Sequence, residues 1–477
     1  MSDNHGIPSS AQLVVIGAGP GGYAAAFRAA ELGLDVTLID PEVHPGGVCL
    51  YRGCIPSKAL LHVSRVIEES RDAAALGVTF TEPSVDIERV RAWKDEVVSR
   101  LTGALGQKVK SKKLTYVAGK ARFKDERTLH VVTNEGGEGE LLLEQAIVAT
   151  GSSPIMLPGT SAGERIMDST GALELRDVPQ TLLVVGGGYI GLELGSVYAT
   201  LGSRVSVVEM TAGLLPGCDR DLVSVLKRRL EPRFDSLMFN TKVVALDERE
   251  GSVAVSLARS EGGAEERSYD RVLIAVGRRP NTDQLGLENT GVQLDERGFV
   301  KVDAQRRTSV GHLFAIGDVA GEPMLAHKAT YEANVAAEAA AGAPAVYEPR
   351  AIPAVVFTDP ELAWCGLTET VARAQKIKFK TAKLPWRGVG RALTLGRDQG
   401  ITKLLVDPES ERVLGVAMAG PNAGELIAEG VLAMEMAAVA EDLRGTIHPH
   451  PTLSETVYEA AQMLYDVTAR GARRRAS

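Results

Sequence analysis

The sequence predicts an α/β protein built from two copies of one strand–helix unit, followed by a separate α+β domain. Three observations carry that expectation. A glycine-rich fingerprint between a strand and a helix occurs twice at matched spacing, an apolar strand closes each copy, and after Tyr347 the pattern changes to alternating strands and two long helices. At 477 residues the chain has room for about three domains of roughly 100–200 residues each.

The first copy opens with the apolar run Gln12–Ile16, passes through Gly17-Ala-Gly19-Pro-Gly-Gly22 and a helical stretch to Gly33, and ends with the strand Val36–Ile39 and Asp40. The second runs from Leu182 through Gly186-Gly-Gly188-Tyr-Ile-Gly191 and a helix to Gly202, then the strand Val205–Val208 and Glu209. Gly17/Gly186, Gly19/Gly188, Gly22/Gly191, Gly33/Gly202 and Asp40/Glu209 all lie 169 positions apart. Each part has a mechanical reason. The first glycine turns the chain out of the strand, the second lets backbone N–H groups approach a pyrophosphate, and the third lets the helix pack close to the sheet. The helix N-terminus presents the positive end of its dipole to phosphate, and the acid after the second strand accepts hydrogen bonds from a ribose. Two complete units at one spacing predict two bound dinucleotides.

The remaining segments fit around these units. Ala146-Ile-Val-Ala-Thr150-Gly151 and Val272–Gly277 read as returning strands. The charged, glycine-rich stretches Asn134–Glu140 and Glu261–Glu266 read as hairpin tips or surface loops. Val310–Asp318 reads as a further apolar strand ending in Gly317-Asp318, where the acid either closes a turn or faces a ligand hydroxyl. Ala354–Phe357, Ile401–Val406 and Arg412–Ala419 are the strands of the last domain.

Composition narrows the function classes. A net charge of −8 carries no nucleic-acid signature. No run of 18 uninterrupted apolar residues is present, so a membrane-spanning helix is not expected. Met1–Gln12 has neither an apolar core nor an Arg-rich amphipathic pattern, which gives no sign of a signal or transit peptide. The basic run at 470–475 reads as a solvated tail. Four cysteines do not make a secreted disulfide scaffold, and a cytoplasmic protein is expected.

Two of those cysteines sit close together in Gly46-Gly-Val-Cys49-Leu-Tyr-Arg-Gly-Cys54-Ile-Pro-Ser-Lys58. In a regular helix, Cα atoms five residues apart are about 8.5 Å apart, beyond the roughly 7 Å that a disulfide tolerates. Bridging therefore needs a distorted segment, for which Gly53 supplies freedom. A loop this short gains little from cross-linking, and no second Cys/His pair lies nearby at zinc spacing. Pro56 suits the first turn of a helix starting near Cys54, whose dipole favours a thiolate. The residues are read as a redox-active pair, against the alternative of two unrelated thiols. Cys218 and Cys365 are isolated and expected to be inert.

Taken together, the segment Gly47–Lys58, the two fingerprints, Phe314-Ala-Ile-Gly-Asp318, Pro323-Met-Leu-Ala-His327 and His448-Pro-His450-Pro-Thr-Leu-Ser-Glu455 resemble the dihydrolipoamide dehydrogenases, within the pyridine nucleotide–disulfide oxidoreductases. The resemblance covers nearly the whole chain. It implies two Rossmann-like dinucleotide-binding domains, for FAD and NAD, and a C-terminal α+β dimerisation domain. The expected boundaries are 1–152 and 280–348 for the two parts of the FAD domain, 153–279 for the NAD domain, and 349–477 for the dimer interface.

The likeness also implies residue roles. Cys49 is the thiol that exchanges with dihydrolipoamide, Cys54 lies against the flavin, and Lys58 with Glu193 is an ion pair near the flavin's reactive edge. His450 is the base and Glu455 its orienter, while Thr452-Leu-Ser-Glu455 also reads as a capping box for a helix over Glu455–Tyr465. That His450 meets Cys49 of a second subunit follows from the resemblance alone. FAD contacts are expected from Gly17, Gly19, Gly22, Asp40, Lys58, Gly119, Thr150, Gly151, Asp318, Leu325 and Ala326. NAD contacts are expected from Gly186, Gly188, Gly191, Glu209 and Gly277.

The implied activity is oxidation of protein-bound dihydrolipoamide with reduction of NAD. The implied partners are a second copy of the chain and either a lipoyl-bearing acyltransferase (E2) subunit of 2-oxo acid dehydrogenase complexes or a lipoyl carrier protein, with no nucleic acid and no membrane. Two departures bear on this. Tyr51-Arg52 stands between the cysteines where the family more often has Asn-Val. Tyr189 stands where the family is often aliphatic and a glutathione-type reductase has a gating tyrosine. The rival readings are a glutathione-type NAD(P)H-dependent disulfide reductase and a redox-inactive nucleotide-binding scaffold subunit. The first expects cations after Glu209, yet Met210–Pro216 has none.

Overall fold

The computed structural model describes residues 6–260 and 262–466. The basic run at 470–475, Glu261 and the first five residues lie outside them. Sheet order explains the internal repeat. In the first unit a parallel sheet runs in the order 115–118, 36–40, 10–16, 142–148, 313–315. In the second the order is 236–238, 204–208, 181–185, 271–274, 166–167, again all parallel. Both place the fingerprint strand centrally, with helices on one face and an antiparallel meander on the other, which is why Val36–Asp40 is buried at every position. In the first unit the long strands Thr115–Phe123 and Glu138–Val148 leave the parallel sheet and form an antiparallel meander with Thr128–Thr133. The second unit makes a separate meander from Thr241–Arg249, Ser252–Arg259 and Ala264–Tyr269.

Small side chains set the packing over the first sheet. Ala25, Ala26 and Ala29 of the helix Pro20–Glu31 meet Ala333, Ala336 and Ala337 of the helix Ala326–Ala340, all almost fully buried. Without larger side chains between them, these helices approach closely and bring both of their N-termini to one end of the sheet. The chain leaves the first unit through Ser152–Pro154 and returns through Arg278–Pro280, and these two crossings pair antiparallel with Arg278 opposite Pro154.

The last domain is a five-stranded antiparallel sheet in the order 354–356, 361–366, 413–420, 401–406, 380–385. Two of these strands go beyond the sequence reading. Glu361–Gly366 is a short apolar run, and Lys380–Pro385 is a polar edge strand whose alternation is blurred by its lysines. The strand expected over Val310–Asp318 shrinks to Leu313–Ala315, because Leu313 N–H closes a turn onto Val310 O. The hairpin tips are likewise tighter than expected, since Glu138 and Ala264 already begin strands. The returning strands span Glu138–Val148 and Arg271–Ile274, stopping short of Gly151 and Gly277.

Candidate active site

One cavity of about 570 Å³ collects most of the expected first-unit residues: Gly17, Gly19, Asp40, Cys49, Cys54, Lys58, Gly119, Thr150, Gly151, Asp318 and Ala326. Glu193, from the second unit, also lines it. Gly22 lies beneath its floor, and Leu325 is the N-cap of the helix that begins at Ala326. The second-unit residues Gly186, Gly188, Gly191, Glu209 and Gly277 lie outside it, but Tyr189 and Ile190 carry that unit's fingerprint to its wall.

The two fingerprints are built alike to the hydrogen bond. Gly17 (φ +97°) and Gly186 (φ +108°) take the left-handed turn that other residues resist, and their N–H groups bond Ile39 O and Val208 O, each at 2.8 Å. Asp40 accepts from Ala18 N at 2.6 Å and Glu42 N at 2.9 Å. Glu209 accepts from Gly187 N at 2.7 Å and Thr211 N at 2.8 Å. Every one of these partners is again 169 positions from its counterpart. Each acid is thus fixed before any ligand arrives. Burial pushes the Asp40 carboxyl up to about 6, against the Ala18 N–H and the Arg52 charge, which favour its ionised form.

Between the cysteines the helix Gly47–Arg52 stops at Gly53 (φ −146°, ψ −114°), and a second helix begins at Cys54. A Cβ on Gly53 would lie 2.8 Å from Val48 O, so glycine is required by close approach. The break brings the side chains together. All four cysteines are free thiols here, and Cys49 and Cys54 are in mutual hydrogen-bond contact. The Cys49 hydrogen bond holds the Cys54 thiol below its ordinary range, with Lys58 assisting against burial. The same contact together with burial pushes Cys49 up. Cys218 and Cys365 are buried, and burial pushes both up to about 12, so neither is reactive.

Lys58 and Glu193 do pair, at 2.8 Å, across the two units. Glu193 is almost fully buried, and its other oxygen accepts Phe357 N–H at 2.9 Å. Lys58 Nζ lies 4.5 Å from the Phe357 ring centroid, so a residue of the third domain touches both members of the pair. Asp318 accepts the Ser152 hydroxyl, and Arg278 donates to Ser152 Oγ at 2.7 Å and Ser152 O at 2.5 Å. The sequence reading did not single out Ser152, Arg278 or Phe357. Ser152 and Arg278 directly follow Gly151 and Gly277, at the ends of the returning strands, and that adjacency was the available signal.

His450 and Glu455 form a dyad away from the cavity. His450 Nδ1 and Glu455 Oε1 are 2.8 Å apart, and the imidazole is 78% exposed. Glu455 Oε2 accepts Thr452 N–H at 2.8 Å, so only one half of the expected capping box forms. The Thr452 hydroxyl bonds Pro449 O and Ser454 instead, and the helix spans Glu455–Met463, two residues shorter than expected. Neither His450 nor Glu455 lines the cavity that holds Cys49. Tyr51 donates to His44 O at 3.0 Å, and Arg52 pairs with Glu42 on the cavity wall.

The residues fit a dinucleotide in each unit. Around Gly19 a Cβ would find only Gly47 Cα, at 4.0 Å, and around Gly188 nothing within 4 Å, which leaves room for phosphate at both helix N-termini. Among the described residues, no cluster of His, Cys, Asp and Glu suits a metal ion, and no helix is long and apolar enough to cross a membrane.

The pyridine nucleotide-disulphide oxidoreductase family matches residues 11–333, and that family's dimerisation domain matches residues 352–461. The chain is 48% identical over 454 residues to the dihydrolipoyl dehydrogenase of Vibrio parahaemolyticus, covering 95% of each chain. Its structure aligns with LpdA of Mycobacterium tuberculosis at a TM-score of 0.88 and 29% identity, over 95% of this chain and 99% of that one. It aligns with the HOCl-induced flavoprotein disulfide reductase RclA of Escherichia coli, solved as a Cu(II) complex, at a TM-score of 0.84 and 28% identity, over 96% and 100%.

Proposed function

The chain belongs to the pyridine nucleotide-disulphide oxidoreductase family, and from that premise we infer that it acts as a dihydrolipoyl dehydrogenase, oxidising dihydrolipoamide to lipoamide with FAD and NAD. The observation that carries this reading is the thiol pair Cys49–Cys54 beside the Lys58–Glu193 ion pair, on the wall of a cavity built by a dinucleotide fingerprint.

Gly17, Gly19, Gly22, Asp40, Gly119, Thr150, Gly151, Asp318, Leu325 and Ala326, with Lys58, would hold FAD. Gly186, Gly188, Gly191, Glu209 and Gly277 would hold NAD. Bound FAD supplies two-electron transfer between the thiol pair and the nicotinamide. The protein's own part begins with the pair as a disulfide. A lipoyl thiolate attacks Cys49 Sγ, the Cys49–Cys54 bond breaks, and Cys54 leaves as a thiolate. The second lipoyl thiol then closes on the first, freeing Cys49. Lipoamide leaves and the enzyme holds a dithiol. His450, oriented through Nδ1 by Glu455, takes the proton at Nε2. Lys58 places a cation beside Cys54 and lowers the cost of its thiolate.

Division at 152/153, 279/280 and 348/349 is supported by the paired crossings and by the new sheet after Tyr347. A second copy of the chain completes the site, and its dimerisation domain is the basis for that. The lipoyl group would arrive on an acyltransferase subunit or carrier protein in the cytoplasm, where free thiols persist. Tyr189, 40% exposed on the cavity wall, is the one feature that favours a glutathione-type reductase. Glu209 opposes it, since a carboxylate fixed at the ribose repels a 2′-phosphate.

The test is turnover of dihydrolipoamide by the FAD-loaded protein with NAD⁺ and with NADP⁺. NADH formation with a strong preference for NAD⁺ is expected. A yellow protein without turnover, or equal kcat/KM for the two nucleotides, would sink the reading.

A further inference from the structure

Beneath Gly317-Asp318 lies a group of charges that the reaction above leaves unused. Glu332, on the helix Ala326–Ala340, is fully buried, while Lys328 and Arg306 beside it have side chains only 3% and 12% exposed. Charges removed from water at this depth are costly unless every one finds partners. Glu332 Oε1 lies 3.1 Å from Lys328 Nζ and 3.0 Å from Arg306 Nη1, and Oε2 accepts the Gly317 N–H at 2.7 Å. Lys328 donates back to the carbonyl oxygens of Gly317 at 3.2 Å and Gly321 at 2.9 Å. One buried ion pair therefore grips both polar groups of Gly317, a residue in the left-handed region at φ +74°. Asp318 follows immediately and turns its carboxylate to the cavity wall.

Seating the helix does not call for these charges. Its alanine face already packs on the first sheet, and well-packed apolar side chains usually serve as well as a buried ion pair. What the charges add is direction, because hydrogen bonds from ionised groups to both sides of one residue fix the backbone that aims the next. We propose that Glu332, held by Lys328 and Arg306, is a positioning residue for FAD. It acts through the Gly317 backbone on Asp318 and does not touch the cofactor itself. This rests on the reading of the cavity as the FAD site.

The experiment measures FAD affinity of the apoprotein, from quenching of FAD fluorescence, in the wild type, Asp318→Asn, Glu332→Gln and the double variant. Each single change should weaken FAD binding about tenfold or more, as loss of a hydrogen bond to a charged group does. The double variant should fall within about twofold of the weaker single variant, because residues that act through one another are not additive. Losses that multiply would overturn the proposal, as would wild-type affinity in either single variant. The apoprotein's thermal midpoint is recorded alongside. A merely structural Glu332 would lower it, yet would leave the two effects on FAD independent. Should Glu332→Gln not yield folded protein, Arg306→Gln, at the rim of the group, goes through the same cycle with the same expectations. Failure of the underlying reading looks different, since the wild-type apoprotein would then not bind FAD at all.

Discussion

Asp40 is a carboxylate that folding strips of water before a ribose can repay it. Burial raises its pKa to about 6, so its contribution favours the fold below the usual carboxylate range and is lost as the pH rises through about 6. A pKa difference of one between folded and unfolded chain corresponds to about 1.4 kcal/mol, so the swing is on the order of 1–3 kcal/mol. Urea unfolding of the FAD-free protein should show it. The stability of wild type relative to Asp40→Asn should fall by that amount between about pH 4 and pH 7, and a flat difference would contradict the burial argument. The thiols make a second prediction at this scale. In the FAD-free dithiol, Cys54 is the exposed member and the one held toward thiolate, so iodoacetamide should label it first. FAD lying against Cys54 should redirect labelling to Cys49. Peptide mass spectrometry reads both, and labelling of Cys49 first in the absence of FAD would reverse the assignment of the low-pKa thiol.

The element that matters most is the interrupted helix around Gly53. Gly53→Ala forces a Cβ against Val48 O, and the two helices must separate for it to fit. A loss of roughly 1–3 kcal/mol in stability is expected, with slower re-formation of the disulfide, checked by unfolding and by thiol titration over time. Unchanged reoxidation would mean that the break does not set the thiol spacing. This break was legible in the sequence because helix geometry alone forbids a bridge over five residues, and the two fingerprints were legible because their acids and glycines repeat at a fixed distance. Other parts were not, for physical reasons. Lys380–Pro385 lies at a sheet edge with Lys380 exposed and Lys383 paired to Asp221 and Glu369, and it lacks clean alternation. Val310 looked like a strand residue, but its carbonyl closes a turn. Ser152 and Arg278 are ordinary residues whose meeting depends on two chain crossings 126 positions apart.

At the scale of the whole molecule, the His450–Glu455 dyad stands complete yet turned outward, apart from the cavity that holds Cys49. A base with its orienting carboxylate in place and its imidazole turned to solvent points to a partner subunit. His450→Gln should lose about 10²–10⁴ in lipoamide turnover, the usual worth of a positioned base, while NADH-to-quinone electron transfer stays largely intact. Co-expression with Cys49→Ser supplies the decisive case. A heterodimer restores one site with both residues, so part of the activity missing from either homodimer should return. Verified heterodimers without recovery would mean that the two residues meet within one chain or not at all.

The side-by-side crossings at Ser152–Pro154 and Arg278–Pro280 make the second nucleotide unit a graft, because its entrance and exit share one doorway. No strand of the first unit's sheet comes from between them. Lengthening, shortening or exchanging what lies beyond the doorway therefore leaves the register of that sheet unspecified by the insert. The doorway also carries Ser152 and Arg278, which hold Asp318, so the graft's own hinge is a wall of the other unit's cavity. A tilt of the second unit would be felt first there, at the Asp318 carboxylate on the cavity wall.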